Sequence, residues 1–117
     1  MSGSVGYHAG LSAEQSVGNR YMEAGYRIAA NRYRGSGGEI DLIAERDGEL
    51  VFIEVKKSKT HAAAAARLLP RQIARLFATA SEFLASMPNG QDTNSRFDVA
   101  LVDGAGRVDI LENVLAA

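Results

Sequence analysis

The chain has 117 residues, 46% of them hydrophobic and 23% charged, with a formal net charge of -1 and no cysteine. That length suits one domain with a real core and is too short for two. The missing cysteine excludes disulfides, thiolate metal sites and a cysteine nucleophile, and the near-zero charge leaves no whole-molecule attraction for nucleic acid.

No apolar run approaches the ~18 residues of a membrane span. The opening MSGSVGYHAG lacks the charged and apolar regions of a signal peptide. A cytoplasmic protein with no membrane partner fits both observations. Residues 1–10 read as a mobile N-terminal tail and residues 11–117 as a single domain.

Leu11 to Ala24 reads as a helix. Ser12 is placed to cap it, Val17, Tyr21 and Ala24 keep helical spacing, and Gly25 is placed to end it. Tyr26 to Arg34 reads as a strand, followed by a flexible turn at Gly35-Ser36-Gly37-Gly38. Glu39–Arg46 and Glu49–Lys57 are strands joined by Asp47-Gly48, a strong two-residue hairpin signal. Ser58 to Leu69 is ambiguous: its alanines favour helix, yet it lacks polar anchors and could be a loop. Pro70 suits a first helical turn, and Ile73, Leu76, Phe77, Ala80 and Leu84 form an apolar stripe behind it. Arg96–Val102 and Val108–Leu111 are the last strands. The expected order is α-β-β-β-α-β-β, without repeats.

The central hairpin carries charge inside its apolar runs: Glu39 and Asp41 on one strand, Glu54 and Lys56 on the next. Side chains alternate faces along a strand. A two-residue turn therefore sets Asp41 opposite Glu54 and Glu39 opposite Lys56, with Cβ atoms roughly 5 Å apart. A bulge would keep Asp41 and Glu54 near each other without pairing them directly. Ile40, Leu42, Ala44, Val51, Ile53 and Val55 fall on the other side and read as core. Two carboxylates so close must share a proton, pair with a cation or hold a metal. Hard oxygen donors suit Mg²⁺ or Mn²⁺. The plain alternative is a solvated sheet face with an exposed Glu39–Lys56 ion pair.

Asp41 in EIDLIA followed by Glu54 and Lys56 in EVK resembles the D…(D/E)xK motif of restriction-endonuclease-like nucleases. More closely, GGEIDLIAERDGELVFIEVKK together with RFDVALV and the closing ILENVL resembles the YraN-like family of uncharacterised bacterial proteins, which are similar in fold to archaeal Holliday-junction resolvases. The resemblance runs from Glu14 to about Val114. It implies a restriction-endonuclease-like mixed sheet flanked by helices, within the PD-(D/E)XK superfamily. It implies that Asp41, Glu54 and the Val55 carbonyl hold Mg²⁺ or Mn²⁺, that Glu14 completes the site from the first helix, and that Lys56 orients or activates water. Glu39 and Gln72 become supporting residues. The segment THAAAAARLLP departs from the basic or glycine-containing stretch usual after EVK.

Basic residues gather around the hairpin. Arg32, Arg34, Lys57, Lys59 and Arg71 are the expected contacts to nucleic acid, DNA foremost. The leading reading is a metal-dependent endonuclease acting on branched or flap DNA. The rivals are a nucleic-acid-binding module that cleaves little, and a non-catalytic assembly protein that forms a homodimer through a sheet edge or helix. Gly35 to Gly38 precede a strand rather than a helix, so they are a turn and not a phosphate cradle. Asp98 reads as a sheet residue paired with Arg96 or a backbone group. His8 and His61 match no ligand spacing.

Overall fold

The structure, a computed structural model, describes the backbone of residues 2–57 and 70–114, with side chains from Ser12 onward except that of Pro70. The elements are α1 (Ser2–Glu23), β1 (Arg27–Gly35), β2 (Gly38–Arg46), β3 (Glu49–Lys57), α2 (Pro70–Ala85), a 3₁₀ turn (Gly90–Asp92), β4 (Ser95–Val102) and β5 (Val108–Leu111). The expected order α-β-β-β-α-β-β is the observed one. The segment 58–69, ambiguous between helix and loop, lies outside the described residues, as do Lys59 and His61. Among the described residues no helix is long and apolar enough to cross a membrane.

The first helix differs from expectation at its start. It begins at Ser2 rather than at Leu11, so Ser12 is interior rather than a cap. Its end follows the sequence. Gly25 takes φ 92°, Tyr26 N–H donates to Tyr21 O at 3.0 Å, and Gly25 N–H donates to Met22 O at 3.0 Å. That is a Schellman ending, in which a glycine in the left-handed region lets two trailing amides satisfy the last carbonyls.

The five strands form one sheet in the order β1-β2-β3-β4-β5. Every neighbouring pair is antiparallel except β3–β4, which is parallel and therefore needs the long crossover through α2. Asp47 and Gly48 both take positive φ, 53° and 83°, the signature of a type I′ hairpin turn. The register that follows pairs Arg46 with Glu49 and Leu42 with Ile53.

Each face of the sheet is covered. Ala13, Val17 and Tyr21 of α1 pack on Leu42, Ala44, Val51, Ile53, Ala100 and Val102. Leu76, Ala80 and Leu84 of α2 pack on Ile40, Ile43, Leu50, Phe52, Val99 and Leu101. The apolar stripe read from α2 is thus the buried one. The β1–β2 turn also lies against α2. A Cβ on Gly37 would stand 3.0 Å from the Ala78 Cβ and 3.3 Å from the Arg75 carbonyl, so a side chain here would have to push α2 back by a few tenths of an ångström. Glu82 fastens the turn by accepting from Ser36 N–H at 2.9 Å.

One expected face assignment fails, and the failure builds the site. Ile40 was placed with Leu42 and Ala44 but packs on the α2 side, whereas Leu42 packs on the α1 side. Residues two apart in a regular strand share a face. The chain therefore changes face at Asp41. Its neighbour β1 does the same: Asn31 pairs with Leu42, Tyr33 pairs with Ile40, and the Arg32/Asp41 step between them is missing from the ladder. Arg32 takes φ 51°, an uncommon conformation for a residue with a Cβ.

A carboxyl pair at the end of the central hairpin

Asp41 leaves both of its ladders. The β2–β3 pairing stops at Leu42–Ile53, so Asp41 and Glu54 are not a ladder pair as the two-residue turn alone implied. They meet nevertheless. The side chain of Asp41 turns into the gap between β2 and β3, where Oδ2 accepts from the Val55 N–H at 2.8 Å. A side-chain carboxylate satisfies a strand amide just past the last backbone pair.

Glu54 points to the α2 side with Phe52 and is 5% exposed. Gln72 on the first turns of α2 donates Nε2–H to Glu54 Oε2 at 3.1 Å. Burial, then a hydrogen bond with the Asp41 carboxyl, then the Asp41 charge push the Glu54 carboxyl up to about 9, against smaller lowering effects from Lys56 and Gln72. At neutral pH the metal-free pair therefore keeps a proton, held between two oxygens that would repel if both were ionised.

Beside this pair lies a hollow of about 330 Å³, lined by Glu54, Gly38, Glu39, Arg71, Gln72 and Arg75 among others. Arg71 and Arg75 are one helical turn apart and share a face of α2. Both are exposed, so their cationic ends flank an acidic floor. Lys56 follows two residues after Glu54 in β3 and is half-buried. Its charge is felt at Glu54.

Of the expected site residues, Asp41, Glu54, Val55 and Gln72 are brought together, with Lys56 and Arg71 beside them. Glu14 is not gathered with the other two carboxylates. It sits on α1, accepts from Arg32 Nε at 3.3 Å, and lines a separate hollow with Asn31, Arg32 and Leu42. Among the described residues no group of three or more acidic or histidine side chains could hold a metal. Glu39 does not face Lys56 either. It pairs across β1–β2 with Arg34, whose Nε lies 3.2 Å from Glu39 Oε2, because β2 and β3 part before reaching that level. Lys57 is exposed at the end of β3. Arg75 and Gly38 were not singled out as site residues. The signal for Arg75 was its spacing of one turn from Arg71.

Two carboxyl groups and a strand carbonyl are hard oxygen donors, and Mg²⁺ is commonly held by one or two protein carboxylates with water and phosphate completing its shell. The shared proton is the telling feature. A divalent cation in its place would relieve the same repulsion, so the residues fit such an ion.

The comparisons with known proteins agree on one family. The model of an uncharacterised protein family, UPF0102, matches residues 13–102. A UPF0102 protein of Cereibacter sphaeroides strain ATCC 17029 is 61% identical over the whole of both chains. Another, from Roseobacter denitrificans, is 55% identical over 98% of this chain and 89% of its own. A third, from Dinoroseobacter shibae, is 42% identical over 91% of this chain and 79% of its own. The matched segment contains the turn, the carboxyl pair and α2, and the chain belongs to the UPF0102 family, the YraN-like bacterial proteins whose resemblance its hairpin carries.

Proposed function

We propose that the protein is a metal-dependent endonuclease of the PD-(D/E)XK type that hydrolyses DNA phosphodiester bonds, with branched or flap structures as its substrate class. The observation that carries this reading is the proton-sharing pair of Asp41 and Glu54, whose Glu54 member lines a hollow rimmed by Arg71 and Arg75. An acidic pair that holds a proton beside a basic rim is suited to bring a phosphate and a metal together.

Asp41, Glu54 and the Val55 carbonyl would hold Mg²⁺ or Mn²⁺. Such an ion supplies charge neutralisation at a phosphate and a lowered pKa for water. Gln72 keeps the Glu54 carboxyl turned toward Asp41. Arg71 and Arg75 bind phosphate oxygens and align the strand. Lys56, on the Glu54 side of β3, positions the attacking water or a nonbridging oxygen. Glu39 is occupied by Arg34 and takes no part in the chemistry.

The test is a panel of flaps, junctions, single strands and RNA incubated with Mg²⁺ or Mn²⁺, comparing wild type with Asp41→Asn. Cleavage by wild type alone is the expected result. Lys56→Ala should lose at least ~100-fold in single-turnover rate, a size typical of a positioned acid–base or charge-stabilising group, while metal affinity holds. Absence of cleavage across the panel would sink the nuclease reading. A second reading has its own support: Glu14, the third carboxylate of the resemblance, is engaged by Arg32 rather than by the pair. That favours a DNA-binding module, which would show salt-dependent binding without cleavage.

A further inference from the structure

The hollow that holds Glu14 lies on the α1 face of the sheet, apart from the α2-side hollow that holds Glu54. It measures about 730 Å³ between α1 and β1 and is open to solvent along Gln15, Asn19, Met22 and Asn31, a size within the usual range of small-ligand sites. Its composition is unlike that of the acidic hollow. Three carboxamides line it, Gln15, Asn19 and Asn31, and its apolar wall includes Met22, Ile28 and Leu42. Met22 is 51% exposed, one of the two large hydrophobic side chains left open to solvent among the described residues. The one acidic residue in the lining, Glu14, is matched by Arg32.

These features choose among ligands. The Glu14–Arg32 pair leaves the hollow close to neutral, so an isolated phosphate gains little there. Carboxamides offer donor and acceptor side by side in one plane, the pattern presented by a nucleobase edge, and adenine N6/N7 is the natural match for a single Asn or Gln. Met22, Ile28 and Leu42 supply an apolar surface for the flat face of a ring. A ring face laid on that wall must be unstacked from its neighbours, so the base must come from an unpaired or frayed strand. The strained step at Arg32 shapes this space. By turning β1 there, it sets Asn31 toward the hollow at the same step that frees Asp41 from the ladder.

We infer that the α1–β1 hollow seats an unpaired nucleobase of the substrate strand, with adenine preferred, and thereby selects single-stranded or frayed DNA. The inference rests on the nuclease reading for its substrate strand, but its binding test does not depend on cleavage.

The test uses the full chain as Asp41→Asn, titrated without metal and followed by heteronuclear NMR. Adenosine 5′-monophosphate should shift the amide and side-chain signals of Gln15, Asn19 and Asn31, and uridine 5′-monophosphate should shift them less. Ribose 5-phosphate, which lacks the base, should leave them in place. Asn19→Ala/Asn31→Ala, both exposed positions whose loss the fold should tolerate, should weaken binding of a short single-stranded oligonucleotide at least ~10-fold and duplex binding little. Gln15→Ala is the milder second variant. Equal shifts with ribose 5-phosphate, or unchanged single-strand affinity in both variants, would overturn the inference. If wild type cleaves while both variants keep its base preference, the base site falls and the nuclease reading stands. If wild type cleaves nothing yet adenosine monophosphate shifts these signals as described, the base site stands and the nuclease reading falls.

Discussion

Two buried carboxyl groups stand on adjacent strands of one sheet and meet opposite fates. Asp98 of β4, fully buried, pairs in register with Ile53, the residue before Glu54. It receives Arg96 Nε at 3.0 Å and Nη2 at 3.2 Å, the Tyr21 hydroxyl at 2.6 Å and the Asn113 N–H at 2.9 Å. Burial and the neighbouring Asp98 push the Tyr21 hydroxyl well above its usual range, so it stays a donor. The hydrogen bond with Asp98 likewise raises Arg96 above its already high value, fixing its charge. Glu54, nearly as buried, receives one carboxamide and a second carboxyl group. One carboxyl accepts four hydrogen bonds from three residues and ties α1, β4 and the chain after β5 together. The other is left to share a proton. A sheet can bury an acid either way, and the supply of donors tells a brace from a reactive group.

The comparison breaks most visibly at Asp98. Asp98→Ala leaves the buried Tyr21 hydroxyl and the Asn113 N–H without their acceptor and takes the buried partner from the part-exposed Arg96, which keeps Glu49, so the cost lies toward the lower end of the range for a broken buried pair, about 3 kcal/mol. Urea denaturation should show that loss. A change under about 1 kcal/mol would mean that Asp98 is not the brace described. Next comes metal. Mg²⁺ or Mn²⁺ at a hundredfold its dissociation constant should stabilise the native state by about 2.7 kcal/mol through mass action. Asp41→Asn/Glu54→Gln should lose this response while Asp98→Asn, if folded, keeps it. Equal shifts in all three proteins would indicate general ion effects.

Proton linkage at Glu54 gives a slope with a definite sign, small within any single pH unit. Its folded pKa is raised, so the native state holds a proton that the unfolded chain releases above about 4.5. The stabilisation from that bound proton is therefore present at low pH and fades as pH rises through about 9. The metal-free protein should lose up to about 1.4 kcal/mol per pH unit across that window from this one group. Glu54→Gln, which keeps the shape and the Gln72 contact without the titration, should flatten the slope. A wild-type curve that matches the variant's would place the proton elsewhere. Metal binding should tighten with pH over the same range, because the ion competes with that proton.

Most of the fold was legible because its signals are local. Gly25, Asp47-Gly48, Pro70 and the α2 stripe each act within a few residues, and each marked its element. Asp98 with Arg96 was also readable, two residues apart on one strand face. The carboxyl pair was legible in identity but not in geometry. Alternation placed Asp41 across from Glu54, whereas the chain reverses face at Arg32 and Asp41, and nothing local in NRYR or EIDL announces a backbone irregularity shared by two strands. Tyr21 and the Asn113 amide could not be assigned to Asp98 from sequence, since their contacts span α1, β4 and the segment after β5. Glu14 was expected at the pair because a resemblance put it there. Its Arg32 partner depends on the same strained step, which sequence spacing does not reveal.

The smallest effect concerns the third acidic residue of the hairpin, and it sharpens the contrast by negation. Glu39 lies on β2 two residues before Asp41 and reads, in the sequence, as one more member of the acidic cluster. In the structure its side chain is 35% exposed and its partner Arg34 is 85% exposed. Water screens both ends of that pair, and holding two long side chains in one geometry offsets much of the attraction. Arg34→Ala should therefore shift stability by no more than about 0.5 kcal/mol. It should also leave the pH slope of the metal-free protein unchanged, because the proton belongs to Glu54 and Asp41. Urea melts of Arg34→Ala at pH 6 and pH 9 measure both quantities. If the variant flattened the slope as Glu54→Gln does, Glu39 would be a working member of the carboxyl cluster, and the division between braced, shared and solvated acids would have to be redrawn.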